Sequence, residues 1–168
     1  MSYNQTDKIQ KIVDDCSGLL AKKHKRVAFA ESATAGYLMA AFACSAHSEV
    51  LSGGIVCYDA SVKTDLLAVD PKMIDRFTAE SIPVTEAIAV GLVPLIAADY
   101  HIGITGLLKP GGSETAEKPV GTIFTSVVEN GEKLTHKTLF QGTPEQIRDQ
   151  CLETICMLLI EKMTLPHL

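Results

Sequence analysis

Three short runs constrain this chain most: "VAFAE" at residues 27–31, "GGIVCYD" at 53–59 and "HIGIT" at 101–105. Each is strand-length and nearly continuously apolar, without a regular polar face. A strand of that kind is covered by protein on both sides, as in a parallel sheet flanked by helices. The segments between them have helical spacing. Residues 6–23 carry Ile9, Ile12, Val13, Cys16, Leu19 and Leu20 on an i, i+3, i+4 stripe. "TAGYLMAAFAC", "SVKTDLLAV", "PKMIDRF" and "VTEAIAVGLVPLIAADY" are further helices. Asp70 and Thr85 are placed to cap the last two, and Pro94 predicts a kink or an early stop.

The C-terminal third changes period. "VGTIFTSVV" and "KLTHKTLF" alternate with period two around Asn130-Gly131, a strong hairpin signal. "TPEQIRDQCLETICMLLIEKM" then opens with Thr143, Pro144 and Gln146, the chemistry of a capping box. The element order is α-β-α-β-α-α-α-β-β-β-α. It implies an α/β fold, a three-layer α/β/α sandwich on a mixed, mostly parallel sheet with a C-terminal antiparallel hairpin. With 168 residues and no interior linker, the expectation is a single domain over residues 1–168.

Composition narrows the function classes. The net charge is −5, and the one basic cluster, Lys22 to Arg26, lies where a helix hands over to a strand. Such a cluster suits the negative pole of a helix dipole, and no basic stripe marks a nucleic-acid partner. Five cysteines without CxxC spacing read as buried thiols in a reducing compartment. The polar start "MSYNQTDKIQ" is unlike a signal peptide, and no apolar stretch suffices to span a bilayer. A cytoplasmic protein with no membrane partner is expected.

Ligands of such sheets bind beyond the carboxyl ends of the parallel strands. Three loops start there. The first holds Glu31, Ser32, Thr34 and Gly36; the second holds Tyr58, Asp59, Ser61 and Lys63; the third holds Thr105, Gly106, Lys109, Gly111 and Gly112. Hydroxyls, ammonium groups and glycine amides together suit phosphate binding or acyl transfer. No Walker motif, G-x-G-x-x-G or metal-ligand spacing is present. Taken singly, Ser32 reads more readily as a cap or turn residue before a helix than as a nucleophile, and Lys63 more readily as a surface lysine.

The motifs "AESATAG", "YDASVKTDLLAV", "ITGLLKPGG" and "EKPVGTIF" resemble, in order, those of the CinA carboxyl-terminal domain family. These are the competence/damage-inducible proteins, whose stand-alone members include nicotinamide mononucleotide deamidases. The family patterns are E-S-x-T-G-G, Y-S-x-x-x-K-x-x-x-L-G-V, T-G-I-A-G-P-G-G and E-K-P-V-G-T. The resemblance covers about Lys8 to Leu159. It implies hydrolysis of the carboxamide of nicotinamide mononucleotide to nicotinic acid mononucleotide and ammonia, without metal or organic cofactor. Carried onto this chain, Ser32 is the nucleophile, Lys63 its base and Tyr58 a third catalytic position. Glu31, Thr34, Gly36, Thr105, Gly106, Gly111, Gly112 and Arg148 fall at substrate-binding positions. Arg148 suits the 5′-phosphate, and amides around Thr34 to Gly36 suit the oxyanion. The resemblance also implies a homo-oligomer, most simply a dimer.

Three departures from the pattern bear on the site. Ala35 replaces a glycine and would be strained at positive φ. Asp59 follows the tyrosine and would raise the lysine pKa. Leu107-Leu108-Lys109 replaces Ile-Ala-Gly. These departures motivate a second reading, a nucleotide-binding or regulatory module that kept the fold and lost the activity.

Overall fold

The computed structural model describes residues 5–164. At its centre is β1 (Val27–Glu31), in a five-stranded sheet of order β2-β1-β3-β4-β5. β2 (Leu51–Val56) and β3 (Tyr100–Gly106) flank it in parallel. β4 (Thr122–Glu129) runs antiparallel to β3, and β5 (Glu132–Leu139) antiparallel to β4. The sheet is thus half parallel crossover and half meander. The β4–β5 turn is the expected hairpin: Glu129 pairs with Glu132, and Asn130 and Gly131 both take positive φ, 50° and 84°. That backbone twist matches the twist of the strands.

Two apolar layers cover the sheet. One is built by α1 (Gln5–Lys22), α2 (Tyr37–Ala43) and α6 (Pro144–Thr164), whose stripes (Val13, Cys16 and Leu20; Leu38 and Phe42; Cys151, Ile155 and Leu159) are buried against Phe29, Ile102 and Ile104. The other is built by α3 (Ala60–Asp65), α4 (Pro71–Phe77) and α5 (Ile82–Leu92), where Val84, Ile88 and Leu92 pack on Ala28 and Ala30. Strand β1 therefore alternates large and small: Val27 and Phe29 face one layer, Ala28 and Ala30 the other. Each fully buried large apolar side chain contributes about 1.5–3 kcal/mol. Small residues on the α5 side let that helix approach closely. On β3, a Cβ at Gly103 would lie 2.5 Å from the Thr85 carbonyl oxygen. Only glycine fits under the helix there.

Local signals set several helix ends as expected. Asp70 accepts the Lys72 amide at 2.9 Å. Thr143 and Gln146 close the capping box, with Thr143 N–H donating to Gln146 Oε1 at 2.8 Å and Gln146 N–H to Thr143 Oγ1 at 3.3 Å. Helix α5 stops at Leu92, two residues before Pro94.

Four expectations are corrected. Thr85 does not cap α5: Ser81 is the cap position, Pro83 fits the first turn, and Thr85 lies inside the helix with its hydroxyl on the Ser81 carbonyl at 2.7 Å. The helix expected over "TAGYLMAAFAC" does not begin at Thr34 but three residues later, at Tyr37. Strand β2 is not covered on both faces like β1 and β3; it is a sheet edge, partly exposed throughout. Its apolar character comes from Gly53, Gly54, Ile55 and Val56, which short runs cannot distinguish from a central strand. Cys44 is exposed, whereas the other four cysteines are buried. Among the described residues no helix is long and apolar enough to cross a membrane.

Candidate active site

The chain leaves β1 and crosses by α2 to β2, then returns by α3–α5 to β3. Those crossovers lie on opposite faces of the sheet, so a crevice opens beyond the end of β1. Ser32 sits there. Its amide donates to the Ile104 carbonyl at 2.9 Å, and Cys57 N–H donates to the Glu31 carbonyl at 2.8 Å. Both neighbouring strands thus fix the backbone beneath the Ser32 side chain.

Lys63 reaches the same point from α3. Asp59 caps that helix, accepting from the Ser61 amide at 2.8 Å and the Ser61 hydroxyl at 2.6 Å. One turn on, Lys63 points back under the loop and is 1% exposed. Its Nζ donates to Ser32 Oγ at 3.0 Å, to the Cys57 carbonyl at 2.6 Å and to the Tyr58 carbonyl at 3.4 Å. Three acceptors satisfy an ammonium. The same geometry also serves a neutral amine: two hydrogens on the carbonyls and the lone pair towards the serine hydroxyl.

Burial is the chief cause that holds the Lys63 pKa below the ordinary lysine value; the Cys57 thiol (if ionised), Glu80 and Asp59 act against it. The Cys57 thiol is itself pushed up to about 11 by burial, so at neutral pH it carries no charge. The opposing anions are then Glu80 and Asp59. Asp59 was expected to raise the lysine pKa. It does act in that direction, but desolvation outweighs it, because the carboxylate is turned outward to cap α3.

Glu31 has a different place from the one expected. It is fully buried beneath the turn and turned away from the ligand side. Its carboxylate accepts from Thr34 Oγ1 at 2.7 Å and from the amides of Gly36, Leu38 and Met39 at 2.9, 3.2 and 2.8 Å. The cap residue of α2, Gly36, has no side chain to offer. Glu31 caps the helix in its stead, and its negative charge suits that helix end. Glu31 and Gly36 are thus engaged within the turn and do not line the cavity described below, and Glu31 also holds the Thr34 hydroxyl. The amides expected to form an oxyanion hole are also partly committed: Ala35 N–H to the Ser32 carbonyl at 3.2 Å, and Gly36 N–H to Glu31. The Ala33 and Thr34 amides have no hydrogen-bond partner among the described residues.

Ala35 does take positive φ, 50°, beside Gly36 at 91°. Left-handed backbone costs an L-residue about 1–2 kcal/mol, partly offset by the greater freedom of an unfolded glycine. Ala35→Gly is therefore expected to stabilise the fold by about 0.5–1 kcal/mol, read as a rise in thermal midpoint of about 1–4 °C. A lower midpoint would count against strain at this turn.

A cavity of about 400 Å³ opens over residues 32–35, lined also by Tyr58, Glu80, residues 106–112, Pro144, Glu145 and Arg148. Tyr58 stands on its rim, 63% exposed, and reaches Lys63 through its carbonyl rather than its ring. Thr34, Gly106, Gly111, Gly112 and Arg148 line the cavity. Thr105 does not. It is buried against α5, its hydroxyl 2.7 Å from that of Thr85. Because Thr85 donates to the Ser81 carbonyl, Thr105 is the donor of the pair. Arg148 stacks on the Tyr37 ring, 4.6 Å from its centroid, and the Tyr37 hydroxyl is held by Asp149 at 2.5 Å. Burial and Asp149 push the Tyr37 pKa up to about 12, which keeps this hydroxyl a donor.

Sequence reasoning missed Glu80, Ser113 and Lys118. Lys118 donates to Thr78 Oγ1 and Ser113 Oγ, both at 2.7 Å, and to the Glu80 carbonyl at 3.0 Å, while Ser113 donates to the Glu80 carboxylate. The cluster ties the glycine-rich loop to the α4–α5 connection. Lys118 was visible in "EKPVG", but nothing local told what it would hold. Among the described residues no group of acidic, cysteine or histidine side chains has the geometry of a metal site.

A family model described as the CinA C-terminal domain matches residues 9–163. The chain belongs to the CinA C-terminal domain family. A CinA-like protein of Mycolicibacterium vanbaalenii is 40% identical over 154 residues, 90% of this chain and 36% of that protein. One from Mycobacterium tuberculosis is 37% identical over 140 residues, 82% of this chain and 32% of that protein. The chain thus spans about a third of the length of these curated relatives. A CinA superfamily protein from Klebsiella pneumoniae superposes with a TM-score of 0.87 at 26% identity, over 92% of this chain and 97% of the other. A competence/damage-inducible protein from Agrobacterium tumefaciens gives 0.86 at 26% identity, over 98% and 99%. The three-layer fold with its mixed sheet is the fold of these CinA proteins.

Proposed function

We propose that this CinA domain hydrolyses the carboxamide of nicotinamide mononucleotide, giving nicotinic acid mononucleotide and ammonia, with Ser32 and Lys63 as the catalytic pair. The observation behind this reading is the 3.0 Å contact between Lys63 Nζ and Ser32 Oγ at the floor of the cavity. A buried lysine hydrogen-bonded to a serine at a strand end can act as its base once neutral. Ser32 Oγ attacks the amide carbon as its proton passes to Lys63. The tetrahedral oxyanion lies beside the start of α2, where the Ala33 and Thr34 amides are the free donors. Collapse returns the proton from Lys63 to the leaving nitrogen, and ammonia departs. Water, deprotonated by the same amine, then cleaves the nicotinoyl ester and restores Ser32. The 5′-phosphate meets Arg148, whose guanidinium lies over the Tyr37 ring.

The test is ammonia release from nicotinamide mononucleotide by the purified protein. A folded protein with no turnover between about pH 6 and 9 would overturn the reading. The competing reading is a binding module without activity, and Ala35 at positive φ in the nucleophile turn is the departure that favours it. That reading expects the nucleotide to raise the thermal midpoint equally in wild type and Ser32→Ala, with no product from either.

Lys63 also sets a pH signature. It works as base only when neutral, so kcat/KM rises with pH and levels off above its pKa. Burial lowers that pKa, so the plateau is expected to begin below the value of about 10.4 usual for lysine. Folding shows the same sign. The folded pKa lies below the unfolded one, so folding disfavours the charged form. The resulting cost is complete below the folded pKa and vanishes above the unfolded value. Wild type should therefore gain stability relative to Lys63→Met as pH rises from about 7 to about 10.5. A constant difference across that range would contradict a depressed lysine.

A further inference from the structure

The loop over the cavity contains two consecutive glycine amides, a common cradle for phosphate. Here that cradle is filled by the chain itself. Gly111 N–H donates to Glu114 Oε1 and Gly112 N–H to Glu114 Oε2, each at 2.8 Å. The two bonds hold the Glu114 carboxyl below its usual range, so it remains an anion at neutral pH. A substrate phosphate approaching this loop meets a carboxylate instead of free amides.

Two cations line the same cavity. Arg148 has a buried Nε with no hydrogen-bond partner, and its guanidinium makes no ion pair among the described residues. The Arg148 Cζ lies 4.6 Å from the Tyr37 ring centroid, and among the described residues no acceptor takes its N–H groups. Lys109 is exposed on the loop, and no hydrogen bond or ion pair holds its Nζ among the described residues. The acids on the lining are Glu80, engaged by Ser113, and Glu145, three residues before Arg148. Neither lies within ion-pair distance of Lys109.

We propose that Lys109 is a specificity-determining residue: with Arg148 it forms a two-cation subsite for the dianion of a phosphate monoester, in place of the loop's glycine amides. Arg148 supplies a guanidinium fork and Lys109 a point charge on the glycine-rich loop, both on the lining of the cavity. A dianion gains from both, and an uncharged nucleoside gains from neither. The inference rests on the proposed reading only in taking the ligand to be a nucleoside monophosphate.

The test measures binding, so it does not depend on turnover. Nicotinamide mononucleotide, nicotinamide riboside and ribose 5-phosphate are titrated calorimetrically into wild type, Lys109→Met, Lys109→Arg and Arg148→Met. Lys109→Met is expected to weaken both phosphate ligands about three- to fivefold at low salt. The loss should shrink as salt rises, since an exposed charge is screened. Lys109→Arg should restore most of the affinity, and the riboside should respond to none of the Lys109 changes. Arg148→Met should cost the phosphate ligands about tenfold or more. Unchanged phosphate affinity in Lys109→Met overturns the subsite, as does equal loss for the riboside. Failure of wild type to bind either phosphate ligand overturns it too. Tight, phosphate-dependent binding without ammonia release would instead sink the amidase reading and leave the subsite standing.

Discussion

Ser32→Ala and Lys63→Met are each expected to lower ammonia release from nicotinamide mononucleotide by roughly three orders of magnitude or more. Without Oγ there is no atom to carry the acyl group. Without Nζ the hydroxyl keeps its proton, and a serine alcohol is a poor nucleophile. The two residues work as one unit, so the double variant should be hardly slower than either single one. Ser32→Ala should retain nucleotide binding, because nothing in the phosphate subsite is touched. Lys63→Met should leave the Ser32 hydroxyl and the Cys57 carbonyl without their buried partner. Each variant must therefore be shown folded by its thermal transition before its rate is read. Residual activity above about a tenth of wild type in either would remove that residue from the chemistry.

Glu31→Ala is expected to be the most destabilising single change in the site, by about 3–5 kcal/mol. Four donors lose their acceptor together: the Thr34 hydroxyl and the amides of Gly36, Leu38 and Met39. Three of them are at the start of α2, where no other side chain caps the helix. The Glu31 side chain is fully buried, so water does not replace the carboxylate without local opening. For a chain of this size the loss corresponds to a fall in thermal midpoint of roughly 10 °C or more. Glu31→Gln keeps the volume and one acceptor oxygen, and should fall between wild type and Glu31→Ala. Denaturant unfolding measures both. A loss below about 1 kcal/mol in Glu31→Ala would mean the turn is held by packing of Leu38 and Phe42 alone.

The two predictions rest on residues that stand side by side in "ESATAG" but differ in how they could be read. Ser32 was legible as a candidate only through its motif and the matched motifs downstream, since a lone serine before a helix reads more readily as a cap. Glu31 drew attention by its motif, yet its direction was not legible. On an alternating strand, Glu31 shares the face of Val27 and Phe29, the α2 side. Which face that is depends on where the crossover helix packs. The same holds for Thr105, whose hydroxyl is turned into the α5 layer, and for Tyr58, whose carbonyl rather than ring serves Lys63.

The sequence by itself determined what is local. Apolar runs and helical stripes specified most elements, Asn130-Gly131 the hairpin, and Asp70, Thr143 and Gln146 two helix starts. Each signal acts within about one helical turn or one tight turn, so the information sits in neighbouring residues. Only the tertiary structure decided that β2 is an edge, and that Lys63 meets Ser32 across 31 residues of chain. It also decided that Tyr37 and Asp149 meet across 112 residues beside Arg148, and that Glu114 fills the glycine cradle. Most of these contacts depend on strand order and on the face each helix covers, which many distant apolar contacts settle jointly and no short segment encodes. The Glu114 clasp is short-range, but a flexible glycine loop admits many such turns, and the packed surroundings select one.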